Sequence, residues 1–309
     1  MFYSPLRYPG GKNKLSEFIA KICIDSNING HYVEPYCGGA SVALFLLFEG
    51  YVNHITINDK DRSIHAFWHC VLNKPNELIK LIRETEVSAE NWKIQKEVQN
   101  RKATAPLIEL GFSTLFLNRT NRSGVIKGGM IGGKAQDGEY KIDCRFNKDV
   151  IIKKIIDIAN RSNDISLRNE DALLLIDNIE LAPNPTNTII YFDPPYYLKA
   201  DSLYMNYYKE LDHKIVSERI KAIQNVNWIV SYDNHEVIRN LYKPYLAKEY
   251  SFNHSAHSAR QGQEILFFSS NINEPDIPEY NPVHFKLKVT NYSKSIIYKP
   301  AKKLLNTAS

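Results

Sequence analysis

Short apolar, β-branched runs alternate with helical periodicity at both ends of the chain, and the alternation stops in the middle. The run Asn187-Thr188-Ile189-Ile190-Tyr191-Phe192 carries no charge and predicts a buried parallel strand. Strands are also predicted at the Tyr32-Val33-Glu34 run, Asn53–Asp59, Ile165–Leu167 and Asn227–Tyr232, with a closing hairpin from Lys248–Phe252 and Glu264–Phe268. Between them lie amphipathic helices, one through Leu15, Phe18, Ile19 and Ile22, and others over Val42–Phe48, Val150–Asn160, Leu211–Ile223 and His235–Leu241. From Arg62 to Leu117 the period is helical throughout, with Phe67, Cys70, Val71, Leu78, Leu81 and Ile82 on apolar faces. Strands alternating with helices predict an α/β sheet, here interrupted by a helical insert.

The insert ends in a different texture. Asn118-Arg119-Thr120-Asn121-Arg122-Ser123-Gly124 is followed by paired glycines at 128–129 and 132–133, which predicts loops and a β-hairpin. Arg119, Arg122, Lys127, Lys134, Lys141, Arg145 and Lys148 face only Asp137, Glu139 and Asp143 there. A basic, glycine-rich segment suits a phosphate backbone, and equally a solvated loop. Arg119, Asn121 and Arg122 are residue types that read base edges. A lysine-rich stretch after Asn281 carries no acid and suits either nucleic acid or solvent.

Composition changes this picture little. With 43% hydrophobic and 24% charged residues, the 309-residue chain has the makeup of a soluble globular protein, and the net charge of +5 is mild. No apolar run has the length of a membrane span, and a cytoplasmic protein is expected. Cys23, Cys37, Cys70 and Cys144 have no paired spacing and read as reduced thiols. His65 and His69 fall four apart on one helix without an acid or third ligand, which favours packing over metal binding.

The chemistry concentrates at strand ends. Asp193-Pro194-Pro195-Tyr196 follows the most apolar strand, and two prolines hold the turn stiff. Open α/β sheets bind ligands at that edge. Asp193 and the Pro194 carbonyl suit the two N–H groups of an exocyclic amine, and Tyr196 suits the flat ring that carries it. A plain strand-to-loop turn is the competing reading. Arg7-Tyr8-Pro9-Gly10-Gly11-Lys12 precedes a helix, where glycines allow close approach to an anion and Lys12 adds charge. Gly38 and Gly39 make a strand–turn–helix step unlike the dinucleotide fingerprint, with Glu34 placed to hold a cationic amino group. Asp59 ends the second strand, as ribose-binding acids do, with Asp61 as a competitor. Asp171 suits a cofactor adenine or a helix cap equally.

Taken in order, these segments resemble the Dam-type (class alpha) DNA adenine N6-methyltransferases. The residues that carry the resemblance are R-Y-P-G-G-K at 7–12, E-P-Y-C-G-G-A-S at 34–41, N-D-K-D at 58–61, L-N-R-T-N-R-S-G at 117–124, D-P-P-Y at 193–196 and R-Q-G-Q-E-I-L at 260–266. The resemblance implies a Rossmann-like, seven-stranded methyltransferase sheet, mostly parallel with one antiparallel edge hairpin strand. It implies an inserted, mainly helical recognition domain carrying a β-hairpin. The expected division is 1–61 with 150–272 for the S-adenosylmethionine-binding catalytic domain, 62–149 for recognition, and 273–309 as a basic extension. By position, Tyr8, Lys12, Glu34, Gly38 and Gly39 would line the methionine side of the cofactor. Asp59 would bind its ribose and Asp171 its adenine, with Asp193 also beside it. Asp193, Pro194, Pro195 and Tyr196 would hold the target adenine, and Arg119, Asn121, Arg122, Lys127 and Lys134 the DNA. Asp171 precedes Ala172 where an aromatic residue is the family pattern.

The expected activity is therefore methyl transfer from S-adenosylmethionine to N6 of adenine in double-stranded DNA. The sulfonium carbon is already electrophilic, so the chemistry calls for no metal. A cognate restriction endonuclease and a nucleoid-associated bacterial or phage setting would fit. The alternatives are an RNA adenine N6-methyltransferase and an inactive DNA-binding regulator on the same scaffold. Both the acid of D-P-P-Y and the glycine turn are intact here, which argues against the regulator.

Overall fold

The computed structural model describes residues 2–8, 12–178, 184–198, 208–253, 261–273, 275–277 and 281–287, with the backbone alone at 252, 253, 261 and 262. Its seven strands are β1 (His31–Glu34), β2 (His54–Asn58), β3 (Ile165–Arg168), β4 (Thr188–Phe192), β5 (Asn227–Asp233), β6 (Leu246–Asn253) and β7 (Gln261–Phe268). They form one sheet in the order β3-β2-β1-β4-β5-β7-β6. The doubly wound order is thus followed across five strands, and β7 enters between the last two.

Pairing of β1 with β2 and β4, and of β4 with β5, is parallel, whereas β7 is antiparallel to both β5 and β6. The antiparallel strand expected at the edge is therefore internal, and β6 takes the edge. Burial explains the exchange. Ile265, Leu266, Phe267 and Phe268 of β7 are at most 1% exposed, so that strand needs cover on both faces. The outer strand β6 carries Lys248 and Glu249, charges that suit an edge.

The chain divides into two compact units. One comprises residues Met1–Gly11, Asp59–Asn169 and Tyr298–Ser309; the other comprises Lys12–Asn58 and Glu170–Ile297. The second contains the helices α1 (Ser16–Asp25) and α2 (Ser41–Phe48). In α2, Ser41–Leu47 are buried all round, as expected of a helix enclosed by a sheet and its neighbours. The continuous core includes Val33, Ile190, Phe192, Trp228, Val230, Tyr232 and Phe267.

The first unit is where the α/β alternation lapses. Its helices are α3 (Arg62–Asn73), α4 (Pro75–Glu84), α5 (Ala89–Asn100), α6 (Leu107–Thr120) and α7 (Lys148–Ala159). Each break has a local cause: Pro75 starts α4, the Ser88 side chain caps α5 and Pro106 precedes α6. Gly111 lets α6 cross α3 closely, since a Cβ there would lie 2.6 Å from the Ala66 carbonyl oxygen. The expected hairpin after α6 is reduced to an isolated antiparallel bridge, Asn121 to Met130, followed by turns. Its glycines at 124, 132 and 133 have positive φ, which folds the chain into turns rather than strands.

The remaining helices α8 (Ala172–Asp177), α9 (Glu210–Ala222) and α10 (Glu236–Leu241) belong to the sheet unit. After β7 the chain continues to α1. Asn273 Nδ2 donates to the Asp25 carbonyl oxygen at 3.2 Å, Lys286 Nζ pairs with Glu17 at 2.8 Å, and Leu287 N donates to Glu17 at 2.7 Å. Among the described residues no helix is long and apolar enough to cross a membrane. All four cysteines are free, and among the described residues no group of His, Cys, Asp or Glu is assembled for a metal.

Candidate active site

The order of the sheet reverses between β1 and β4, so the carboxyl ends of these strands flank the crevice in which open α/β sheets bind ligands. Both ends carry acids. Glu34 is the last residue of β1, and Asp193 follows β4 directly.

Asp193 is held from two sides. Ser231, in the adjacent strand, donates its Oγ hydrogen to Asp193 Oδ1 at 2.8 Å, and Lys12 Nζ pairs with the same oxygen at 3.1 Å. Burial pushes the carboxyl pKa up, and Lys12 pulls it back down. Tyr191 donates to Ser231 Oγ at 2.9 Å, which leaves the serine hydrogen for Asp193. Beyond the prolines, both oxygens of Asp233 take backbone N–H groups, from Tyr197 at 2.9 Å and Leu198 at 2.8 Å. His235 stacks on Tyr197 at 4.5 Å between ring centres. The turn after β4 is thus fixed from β5 at its start and at its exit. Sequence reading missed Ser231 and Asp233; their spacing at alternate positions of a strand was the available signal.

Tyr196 is only 6% exposed. Its hydroxyl hydrogen-bonds to Glu264 and to Lys12, and Lys12 Nζ lies 4.6 Å from its ring centre. Glu264, on β7, also accepts from the Tyr250 hydroxyl and lies 3.5 Å from Lys12 Nζ. Lys12, expected on the methionine side of a cofactor, therefore places its ammonium between two carboxylates. Glu264 lies in the R-Q-G-Q-E-I-L segment, but nothing in that segment alone indicates that its carboxylate turns inward.

Glu34 has one satisfied oxygen and one that is not. Oε1 accepts from the Tyr32 hydroxyl at 2.9 Å and from Ala43 N at 3.2 Å, whereas Oε2 is buried without a partner. Burial pushes its pKa up to about 8. A buried, half-satisfied carboxyl beside a backbone turn fits a cationic amino group, and S-adenosylmethionine carries one. The turn itself contains Gly38 at φ +44° and Ala40 at φ +47°, and Cys37 N donates to the Asn58 carbonyl oxygen at 2.8 Å. Asp171 caps α8, accepting from Leu173 N at 3.0 Å, one of the two roles the sequence left open for it.

Tyr8 and Asp59 belong to the other unit. Tyr8 is half-buried, and Asp59 Oδ1 accepts from Asp61 N at 2.9 Å. Asp61, the competitor, caps α3 through Ser63 N at 2.7 Å and pairs with Lys102 at 3.2 Å, so its carboxylate is structurally occupied. Two of the five residues expected to face DNA turn inward. Arg119 donates through Nε to the Pro5 carbonyl oxygen at 2.7 Å, and burial pushes its pKa down to about 10. Asn121 is 0% exposed; it accepts from Trp92 Nε1 at 2.6 Å and donates to the carbonyls of Val125 and Ile126. Residue type suggested base reading, whereas both side chains donate to backbone carbonyls, and Asn121 also satisfies the buried Trp92 Nε1. Arg122, Lys127 and Lys134 are exposed. Gly10, Gly11 and Arg260 lie outside the described residues.

The strand order and the paired strand-end acids define an open α/β sheet with acids at its ligand-binding edge, and the family match makes it a methyltransferase. The chain belongs to the D12 class N6 adenine-specific DNA methyltransferase family, whose profile matches residues 8–256. It is also similar to the Type II methyltransferase M.MjaIII of Methanocaldococcus jannaschii, 24% identical over 207 residues, which are 62% of this chain and 68% of the relative. Among solved structures, the rRNA methyltransferase aviRa of Streptomyces viridochromogenes aligns over 85% of this chain and 87% of its own, with 10% identity and a TM-score of 0.38. A second structure of that protein aligns over 79% and 78%, with 9% identity and a TM-score of 0.32. Membership of the family makes site-specific methylation of adenine in DNA the function of this chain.

Proposed function

We propose that the chain transfers a methyl group from S-adenosylmethionine to N6 of an adenine extruded from double-stranded DNA, as a Dam-type member of its family. The observation that carries this reading is the half-buried Asp193 carboxylate, fixed by Ser231 and Lys12 in a proline turn at the carboxyl end of β4. Glu34 holds the cofactor's amino group through its free oxygen, beside the Gly38-Gly39 turn. Tyr8 and Lys12 complete the methionine side, Asp59 takes the ribose and Asp171 the cofactor adenine. The cofactor supplies a methyl group already bonded to a positively charged sulfur.

The protein's own work is orientation. Flipping a base costs a few kcal/mol, offset here by stacking on Tyr196 and by hydrogen bonds from the adenine amine to Asp193 and the Pro194 carbonyl. Pro195 keeps that carbonyl in place. Alignment of the amine with the methyl then supplies much of the rate. Asp193 keeps electron density on the nitrogen and stabilises positive charge developing there. The inserted segment 62–149, with Arg122, Lys127 and Lys134 exposed, reads the DNA, while Arg119 and Asn121 shape the loop that presents them. The type II designation of the archaeal relative supports a partner restriction endonuclease.

Labelled cofactor offered with duplex DNA, RNA or neither tests the substrate. Label in DNA is expected; label in RNA alone assigns an RNA enzyme, and DNA binding without label assigns a regulator. Asp193→Ala is expected to abolish turnover while cofactor affinity stays within a few fold. A large loss of cofactor binding instead would show that Asp193 has the wrong role.

A further inference from the structure

The activity proposed above uses Lys12, Asp193 and Tyr196 but leaves Glu264 unexplained. It is 4% exposed, yet it binds two phenols and a lysine. A carboxylate buried so deeply is costly unless every lone pair is used. Two of its three partners lead to the D-P-P-Y turn: Tyr196 belongs to it and Lys12 pairs with Asp193. Tyr196 and Lys12 meet one of its oxygens, Oε1, and Tyr250 the other, while Lys12 also reaches Asp193 Oδ1 at 3.1 Å.

We propose that Glu264 is a positioning residue that takes the Lys12 ammonium as the target adenine arrives, freeing Asp193 to accept the adenine N–H, while it holds the Tyr196 ring by its hydroxyl. One lysine lies between two carboxylates, 3.1 Å from one and 3.5 Å from the other. An incoming amine is a donor to Asp193 and competes with Lys12 for the same oxygen. The ammonium needs a second anion within a short movement, or it would be left buried and unpaired. Glu264 is that anion. Tyr250 fixes its far oxygen, so the near one stays aimed at Tyr196 and Lys12.

The groups that face Asp193 set the pH response. They are Lys12, Glu34 on β1, Tyr191 on β4, Tyr232 on β5, and Tyr250 and Glu264 on the closing hairpin, with Tyr196 beside Lys12. Glu264 raises the Asp193 pKa, and Lys12 lowers it. Losing the Glu264 charge therefore lowers the Asp193 pKa. Turnover requires Asp193 ionised, so the acid limb of the rate profile moves to lower pH, even as the plateau falls because Lys12 stays on Asp193.

The test rests on the function proposed above and is arranged to fail separately from it. Single-turnover rates against pH are measured on the full chain with duplex DNA for the unaltered protein, Glu264→Gln, Tyr250→Phe and Asp193→Ala. Glu264→Gln is expected to lose at least tenfold in plateau rate, with cofactor affinity within threefold and the acid limb moved to lower pH. Tyr250→Phe, which leaves the carboxylate in place but frees its far oxygen, is expected to lose two- to fivefold. A Glu264→Gln enzyme that is unimpaired, or impaired with an unmoved acid limb, overturns the proposal while Asp193→Ala stays inactive. Should Glu264→Gln fail to fold, an unimpaired Tyr250→Phe overturns it. An active Asp193→Ala overturns the underlying reading instead.

Discussion

Ser231 Oγ donates a 2.8 Å hydrogen bond to Asp193 Oδ1, so the acid that follows β4 is oriented by the strand beside it. That bond favours the ionised acid and lowers its pKa. Ser231→Ala is expected to move the acid limb of turnover to higher pH, opposite in sign to Glu264→Gln. It should also slow the plateau on the order of tenfold, which is about 1.4 kcal/mol of transition-state stabilisation. A rate profile with an unmoved limb counts against the pairing.

Glu34 gives a prediction that involves no DNA. Its folded-state pKa is about 8, against 4.5 for an ordinary glutamate. Between those values the folded chain keeps a proton that the unfolded chain has released. Stability is therefore lost as pH rises through that window, and Glu34→Gln should flatten the dependence. An ammonium group settling on Oε2 would ionise the carboxyl, so cofactor binding near pH 7 should release close to one proton. Calorimetry in buffers of different ionisation enthalpy measures this directly, and Glu34→Gln should release none.

Asn121 and its exposed neighbours should part company. Asn121→Ala leaves Trp92 Nε1 without its partner and removes one of the donors to each of the Val125 and Ile126 carbonyls, and is expected to cost about 1–3 kcal/mol of stability, read as a fall in Tm and a change in tryptophan emission. Arg122→Ala and Lys127→Ala should leave Tm nearly unchanged and weaken DNA binding, each reducing the salt dependence by about one counterion. If Asn121→Ala weakens DNA binding at full stability, the inward assignment is wrong.

Gly124 has φ +75°, and a Cβ there would lie 2.0 Å from the Arg7 carbonyl oxygen. Asn118 holds the same Arg7 peptide through N at 2.7 Å and O at 3.1 Å. Gly124→Ala should therefore destabilise by more than the roughly 1–2 kcal/mol of left-handed strain alone. A Tm equal to that of the unaltered chain would disprove the close approach.

Most strands were legible because burial on both faces leaves long apolar runs, as in Ile189–Phe192 and Ile229–Val230. The place of β7 was not. Its order relative to β6 depends on which of two adjacent apolar strands is the more completely covered, a tertiary fact. Asp193 stood out because prolines and an acid after such a run are conspicuous. Glu264, Ser231 and Asp233 did not, because an ordinary polar residue in a strand shows no direction until its neighbours are known. Arg119 and Asn121 differed in the opposite sense: their side-chain types suggested DNA, and the backbone carbonyls of Pro5, Val125 and Ile126 hold them instead. Asp171 was an even choice in the sequence; its Oδ1 caps α8 through Leu173 N, and the adenine role stays with the proposed function.

The polypeptide runs past residue 256, where the family match stops, and Glu17 of the first helix receives both Lys286 and Leu287. Ile272, Ile277 and Val283 are buried along the way. That return path behaves as a belt fastened around the helix that begins just after Lys12. Expression boundaries chosen from kinship alone would cut the belt, and the enzyme so shortened would arrive at the bench with Lys12 on a loosened mount.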